Sequence, residues 1–165
     1  MKRFVMVIAL VAIIATGTAF ADDGFGIGAL WGGSLNSGQI GSHAALALKF
    51  PSVPIYWAVR AGGFDSTLWV GLQGDKYLID DEVVETLSWF LGVGGYLNVH
   101  LSDDIALGLG VRVPIGMRWR PIDFFELFFN VAPNLGGYMW THGDGGFDFP
   151  HGGFFGFEIG IRFWP

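Results

Sequence analysis

The sequence predicts an all-β protein, an eight-stranded antiparallel up-and-down transmembrane β-barrel, on three observations. From Gln39 to Phe50, the residues Ile40, Ala44, Leu46, Leu48 and Phe50 alternate with Gln39, Gly41, His43, Ala45, Ala47 and Lys49. A strand sends successive side chains to opposite faces, so one face here is apolar and the other mixes polar with small residues. Second, the chain is 52% hydrophobic and 16% aromatic, with 27 glycines and only 15% charged residues; soluble domains carry about 25% charged residues. Third, no apolar run beyond Asp22 is long enough for a membrane-crossing helix. Strands closed on themselves are the other way to satisfy the backbone in lipid.

The first residues set the compartment. Lys2 and Arg3 precede an unbroken apolar run, Phe4 to Ile14, and Ala19-Phe20-Ala21 supplies a cleavage pattern. Residues 1–21 therefore read as a cleavable secretory signal peptide, too short to span a bilayer as a helix. Asp22 stands where a lipoprotein would need cysteine, so no lipid attachment is expected there. Residues 22–165 form one domain. With Lys2 and Arg3 set aside, fifteen acidic residues face seven basic ones. Without a basic cluster, nucleic acid is not an expected partner. Without a cysteine, disulfides, zinc–thiolate sites and thiol nucleophiles are excluded.

Eight strands are expected, near 24–32, 39–50, 55–64, 86–101, 105–119, 124–132, 135–141 and 153–164. A tilted membrane strand needs about 9–11 residues, and most of these reach that length. Pro51-Ser52-Val53-Pro54, Ser102-Asp103-Asp104 and Pro133-Asn134 read as tight turns after the second, fourth and sixth strands. Residues 65–85 and 142–152 read as long external loops, the first a hairpin above the membrane whose segment 70–82 is dispensable for folding. Short periplasmic turns opposite longer outer loops are the pattern of bacterial barrels. Pro114 cannot donate to a ladder, so the fifth strand should bulge or end there. Outward aromatics then fall at two levels, as membrane interfaces favour. Phe25, Phe50, Trp57 and Phe163 make the periplasmic one, and Trp31, Trp89, Trp119 and Phe125 the outer one.

Alternation turns His43, Lys49, Tyr56, Tyr96, Asn98, His100 and Asn130 inward, together with a network of Arg60, Arg112, Arg118, Glu126, Glu158 and Arg162. Inward glycines and alanines, among them Gly92, Gly94, Gly108, Gly110, Ala45 and Ala47, leave room for these long side chains. Eight strands enclose only enough space for side chains to fill, and buried charges need partners. The interior is thus expected to be a polar plug, with a narrow ion path as the alternative. Arginines outnumber acids in the inward set, so waters or loop carboxylates must serve some guanidinium groups.

No enzyme, metal or cofactor is expected. Serine hydrolysis needs a serine beside a histidine base. Ser42 and His43 are adjacent, hence on opposite faces, and Ser88 and His100 lie roughly 40 Å apart along one strand. His142, His151, Asp144 and Asp148 could hold a divalent metal, but the intervening Gly-Asp-Gly-Gly-Phe reads as a turn. Asp75, Asp80, Asp81, Glu82 and Glu85 do not match a calcium loop and read as an anionic external surface. A lipocalin-like soluble barrel would need the reverse polarity, apolar within and polar without.

Several stretches carry a resemblance: Gly24-Phe-Gly-Ile-Gly-Ala29, Gly110-Val-Arg-Val-Pro-Ile-Gly116, Phe125-Glu-Leu-Phe-Phe-Asn-Val-Ala-Pro133 and Phe155-Gly-Phe-Glu-Ile-Gly-Ile-Arg-Phe163. Over 22–165 the chain resembles the small eight-stranded outer-membrane barrels, the OmpA membrane domain and OmpX type, and uncharacterised outer-membrane barrel families. That resemblance implies outer-membrane localisation and surrounding lipid. It also implies an aromatic C-terminal signal read by the barrel assembly machinery; Phe163-Trp164 fits, with Pro165 as an extra residue. It brings no catalytic residues. The expected role is structural, or interaction with an extracellular protein or matrix ligand through loops 65–85 and 142–152. A lipid- or lipopolysaccharide-modifying enzyme is the alternative.

Overall fold

Period-two alternation over most of the chain leaves the backbone one way to pair its polar groups, in ladders with neighbouring strands. The computed structural model describes residues 24–36, 39–64, 67–101, 105–140, 146–149 and 155–165; residues 1–21, expected to be a signal peptide, lie outside them. The described residues form ten strands: β1 (Gly26–Asn36), β2 (Gln39–Lys49), β3 (Tyr56–Phe64), β4 (Thr67–Val84), β5 (Leu87–Leu101), β6 (Ile105–Arg112), β7 (Ile115–Ile122), β8 (Phe125–Trp140), β9 (Gly146–Asp148) and β10 (Phe155–Phe163). None of the described residues is helical, and no helix is long and apolar enough to cross a membrane.

Every pairing is antiparallel and the order runs up and down, with β1 to β5 joined in sequence. β6 and β7 lie end to end between β5 and β8. β10 then pairs with both β8 and β1, closing the ring. Nine strands thus occupy eight positions, while the short β9 lies outside the ring on β8. The break between β6 and β7 falls at Val113-Pro114, as proline requires. The partners keep one register across it, from Gly94↔Arg112 to Leu91↔Ile115. The ladder is bridged there by Gly92 N donating to the Pro114 carbonyl at 2.8 Å and Val113 N to the Pro133 carbonyl at 3.0 Å.

Two expectations about the strands are corrected. Residues 65–85 are not a loop, since 67–84 form β4, the longest strand, paired on both sides. Its acidic residues resemble a solvated surface in isolation, but Asp75 and Asp80 turn to the interior, where arginines neutralise them. Pro133-Asn134 is not a turn. β8 runs straight through it because Val131 and Leu135 on either side pair with β7 and β6. One missed strand and one strand split in two left the count of eight positions unchanged.

The end assignments change with them. The connections 50–55, 85–86 and 123–124 share one end with the first and last strands' free ends, and the paired strand ends Leu101 and Ile105 lie at the other. Trp89, Trp119 and Phe125 therefore sit beside Phe25, Phe50, Trp57 and Phe163 at a single level; Phe125 and Phe163 are direct partners, their rings 5.6 Å apart. The second girdle keeps only Trp31, in mid-strand against Phe157 at 5.5 Å.

The register also fixes the cross-section. Partners followed from Gly26 run through Lys49, Tyr56, Asp75, Gly94 and Arg112 to Asn134. Next to Asn134, Pro133 pairs with Phe155, which pairs with Leu35. One circuit thus climbs about ten residues along β1. At about 3.3 Å per residue and about 4.8 Å between strands, this stagger over eight positions tilts the strands by about 40°. The same geometry sets the backbone ring at about 8 Å radius, which side chains can fill.

They fill it by alternation. Arg112, Glu126, Asn130, Glu158 and Arg162 are buried, and their odd-numbered neighbours Val111, Phe129, Ile159 and Ile161 point out. Val111 is 61% exposed and Leu109 44%. A small apolar cluster of Leu30, Ala45, Ala47, Ala58 and Phe128 shares the interior.

Candidate functional site

Among the described residues the polar interior gathers the chemistry-bearing side chains, and it is built in three tiers. In the middle tier, β6 delivers Arg112 to Glu158 of β10. The guanidinium donates from Nη1 to Oε1 at 2.7 Å and from Nη2 to Oε2 at 3.0 Å, a bidentate fork. Asn130 of β8 donates to Glu158 Oε2 at 3.0 Å and accepts from Arg112 Nη2 at 3.0 Å. Gln73 of β4 donates to both Glu158 and Asp75, and Asp75 Oδ1 lies 3.4 Å from Arg112 Nε. His43 Nε2 stands 3.7 Å from Glu158 Oε1.

The lower tier, toward the chain ends, centres on Glu126 of β8. Arg162 donates to it at 2.5 Å, and Arg118 approaches within 3.8 Å. Arg118 also donates to Tyr56 Oη at 3.1 Å and to Asp80. Tyr56, Tyr77 and Phe90 stack in series, each pair of ring centres 4.1 Å apart, and Arg162 lies over Tyr56 and Phe128 at 4.7 Å. These rings and guanidinium planes cross the interior and obstruct it.

Between the tiers lies a cavity of about 20 Å³ whose lining includes Gln73, Asp75, Asn130, Glu158 and Arg162. That is room for one water. Gln73 Oε1 and Asp75 Oδ1 are buried acceptors without a donor, the partners such a water would serve.

The upper tier, at the far end, holds Arg60. It is 8% exposed and donates from Nη2 to Asn98 Oδ1 at 2.8 Å. Trp69 and Tyr96 lie 5.2 Å and 5.5 Å from it.

Of the six residues expected in the network, five join through carboxylates: Arg112 with Glu158, and Arg118, Glu126 and Arg162 together. Arg60 stands apart. Sequence reasoning missed Gln73, Asp75 and Asp80, because 65–85 read as a loop. The signal was present: Leu68, Val70 and Leu72 alternate with Trp69, Gly71, Gln73, Asp75 and Tyr77. The surplus of inward arginines had called for extra carboxylates, and β4 supplies them.

Ser42 is exposed and His43 buried, on opposite faces of β2, while Ser88 and His100 lie toward opposite ends of β5. Among the described residues no cluster of three metal-ligating side chains occurs. His142, Asp144 and His151 lie outside the described residues, as does the side chain of Asp148. Comparison with protein-family models, curated proteins and solved structures returns no match.

Proposed function

We propose that the chain is a small integral outer-membrane protein: an eight-stranded transmembrane β-barrel with a plugged polar lumen and a structural or surface-interaction role. It resembles the OmpA membrane domain and OmpX in this respect. One observation carries the reading, the inverted polarity of the closed sheet. Four arginines and four carboxylates face a common axis, while Leu97, Leu109, Val111, Ile115, Phe129 and Ile159 face out. In water that exterior would be an aggregation surface; in hydrocarbon it is the stable arrangement. The short connections beside the chain ends suit the periplasmic side, which leaves the segment around 142–152 outside as the candidate contact for an extracellular protein or matrix ligand. The ion pairs and hydrogen bonds among the described lumen residues tie strands together.

The test is refolding of the mature chain into phosphatidylcholine vesicles, followed by gel electrophoresis with and without heating. A folded membrane barrel migrates differently unheated and boiled, and its strands resist protease. A chain that stays monomeric in buffer without detergent and shows one mobility overturns the reading. The plug has its own test: planar-bilayer recording should show no stable, ion-selective conductance.

A further inference from the structure

The interior end away from the chain termini is built unlike the rest. Arg112, Arg118 and Arg162 each rest on a carboxylate, whereas Arg60, equally deep in the ring, has none among the described residues. Its guanidinium has five N–H donors. One is spent on the neutral Asn98 oxygen, and Nε has no partner. Burying a cation with no anion in direct contact is costly, and the more distant Glu158 and Asp75 with the ring faces of Trp69 and Tyr96 offset only part of that cost.

Around Arg60 the walls are aromatic. Trp69 lies 5.6 Å from His43 and 6.4 Å from His100, and His100 meets Tyr138 edge-on at 4.9 Å. Trp69, Tyr96, His100 and Tyr138 are half-buried, less enclosed than Arg60 itself. His100 Nε2 is a second buried polar atom without a partner. Glycines hold these side chains back against the wall. A Cβ on Gly71 would strike Asn98, and one on Gly110 or Gly136 would strike the Tyr96 hydroxyl.

From this we propose that the upper tier is a binding site for a small organic anion: a carboxylate on a planar apolar body. The carboxylate meets the unused Arg60 donors, and the body lies among Trp69, His100 and Tyr138. The site goes beyond the membrane reading and does not depend on it, because it needs only the closed ring.

The probe is benzoate, titrated by calorimetry into the mature protein folded in uncharged detergent. Benzamide serves as the neutral isostere and acetate as the anion without a ring. Benzoate should bind at one site, with benzamide weaker by about tenfold or more, the worth of a hydrogen bond to a charged group, and acetate weaker because it leaves the ring's apolar burial unmade. Arg60→Gln should abolish the preference for benzoate over benzamide. Should that variant fail to fold, Asn98→Asp decides, since it sets a carboxylate beside Arg60 and should keep the fold while displacing benzoate. Equal binding of benzoate and benzamide, no benzoate binding at millimolar concentration, or unchanged benzoate affinity in folded Asn98→Asp overturns the site. Each of these outcomes leaves the gel-mobility test of the membrane reading untouched.

Discussion

Glu158 serves Arg112 twice, Asn130 once and Gln73 once, and all three partners are buried, at 3% to 4% exposure. Removing Glu158 leaves buried Arg112 only its longer contact with Asp75, and breaking such a buried pair costs about 3–5 kcal/mol. Glu158→Ala should therefore lower the urea midpoint of the vesicle-embedded protein sharply. The paired change Arg112→Met with Glu158→Leu, which removes both charges at similar volume, should cost much less than either single change. A double-variant cost equal to the sum of the two single costs would show that the pair is not coupled. At this scale the sequence was informative wherever parity was clean. Arg112, Glu126, Glu158 and Arg162 were assigned inward by counting alone. Their partners were not, because which carboxylate reaches which guanidinium depends on stagger between strands, and stagger is not written in any single strand.

β4 shows how an element escapes local reading. Asp75, Asp80, Asp81, Glu82 and Glu85 lower its apparent strand character, and a bulge between Tyr77 and Ile79 breaks the alternation halfway. Leu78 and Ile79 both point outward across that bulge, returning Asp80 to the interior. Local composition therefore favoured a loop, while pairing with β3 and β5 imposes a strand. Pro133-Asn134 erred in the opposite sense, since a turn dipeptide was overridden by two flanking ladders. The physical consequence is testable. Deleting 70–82, tolerable for a loop, should abolish the folded form because it removes a member of the ring; an unchanged heat-modifiable band would refute that place for β4. The β4–β5 contact also depends on Gly94, where an added Cβ would fall on the Asp75 carboxylate. Gly94→Val should destabilise by about 1–3 kcal/mol through overpacking, read from the same urea transitions.

Over the whole molecule, seven outward aromatics gather beside the chain ends, while Phe155 and Trp31 are exposed farther up the ring. Phe25, Phe50, Trp57, Trp89, Trp119, Phe125 and Phe163 form a single collar beside the chain ends, where the sequence had suggested two. The difference arises because relocating one strand reverses the direction of those that follow it, carrying Trp89, Trp119 and Phe125 to the opposite end. If the collar marks a membrane interface, lipids brominated near the headgroup should quench tryptophan emission more than lipids brominated near the acyl terminus, and Trp89→Leu with Trp119→Leu should remove most of that contrast. The closure between β1 and β10 has a further bearing on how such a molecule comes to exist. It joins Ile27 to Phe163, so the last seam links the two extremes of the described chain. Until that seam zips, two ribbon borders stand open to any neighbouring polypeptide. Contacts so remote in sequence also form late and slowly. A protein made this way has the most to gain from an escort that shields both borders until its beginning and its end have met.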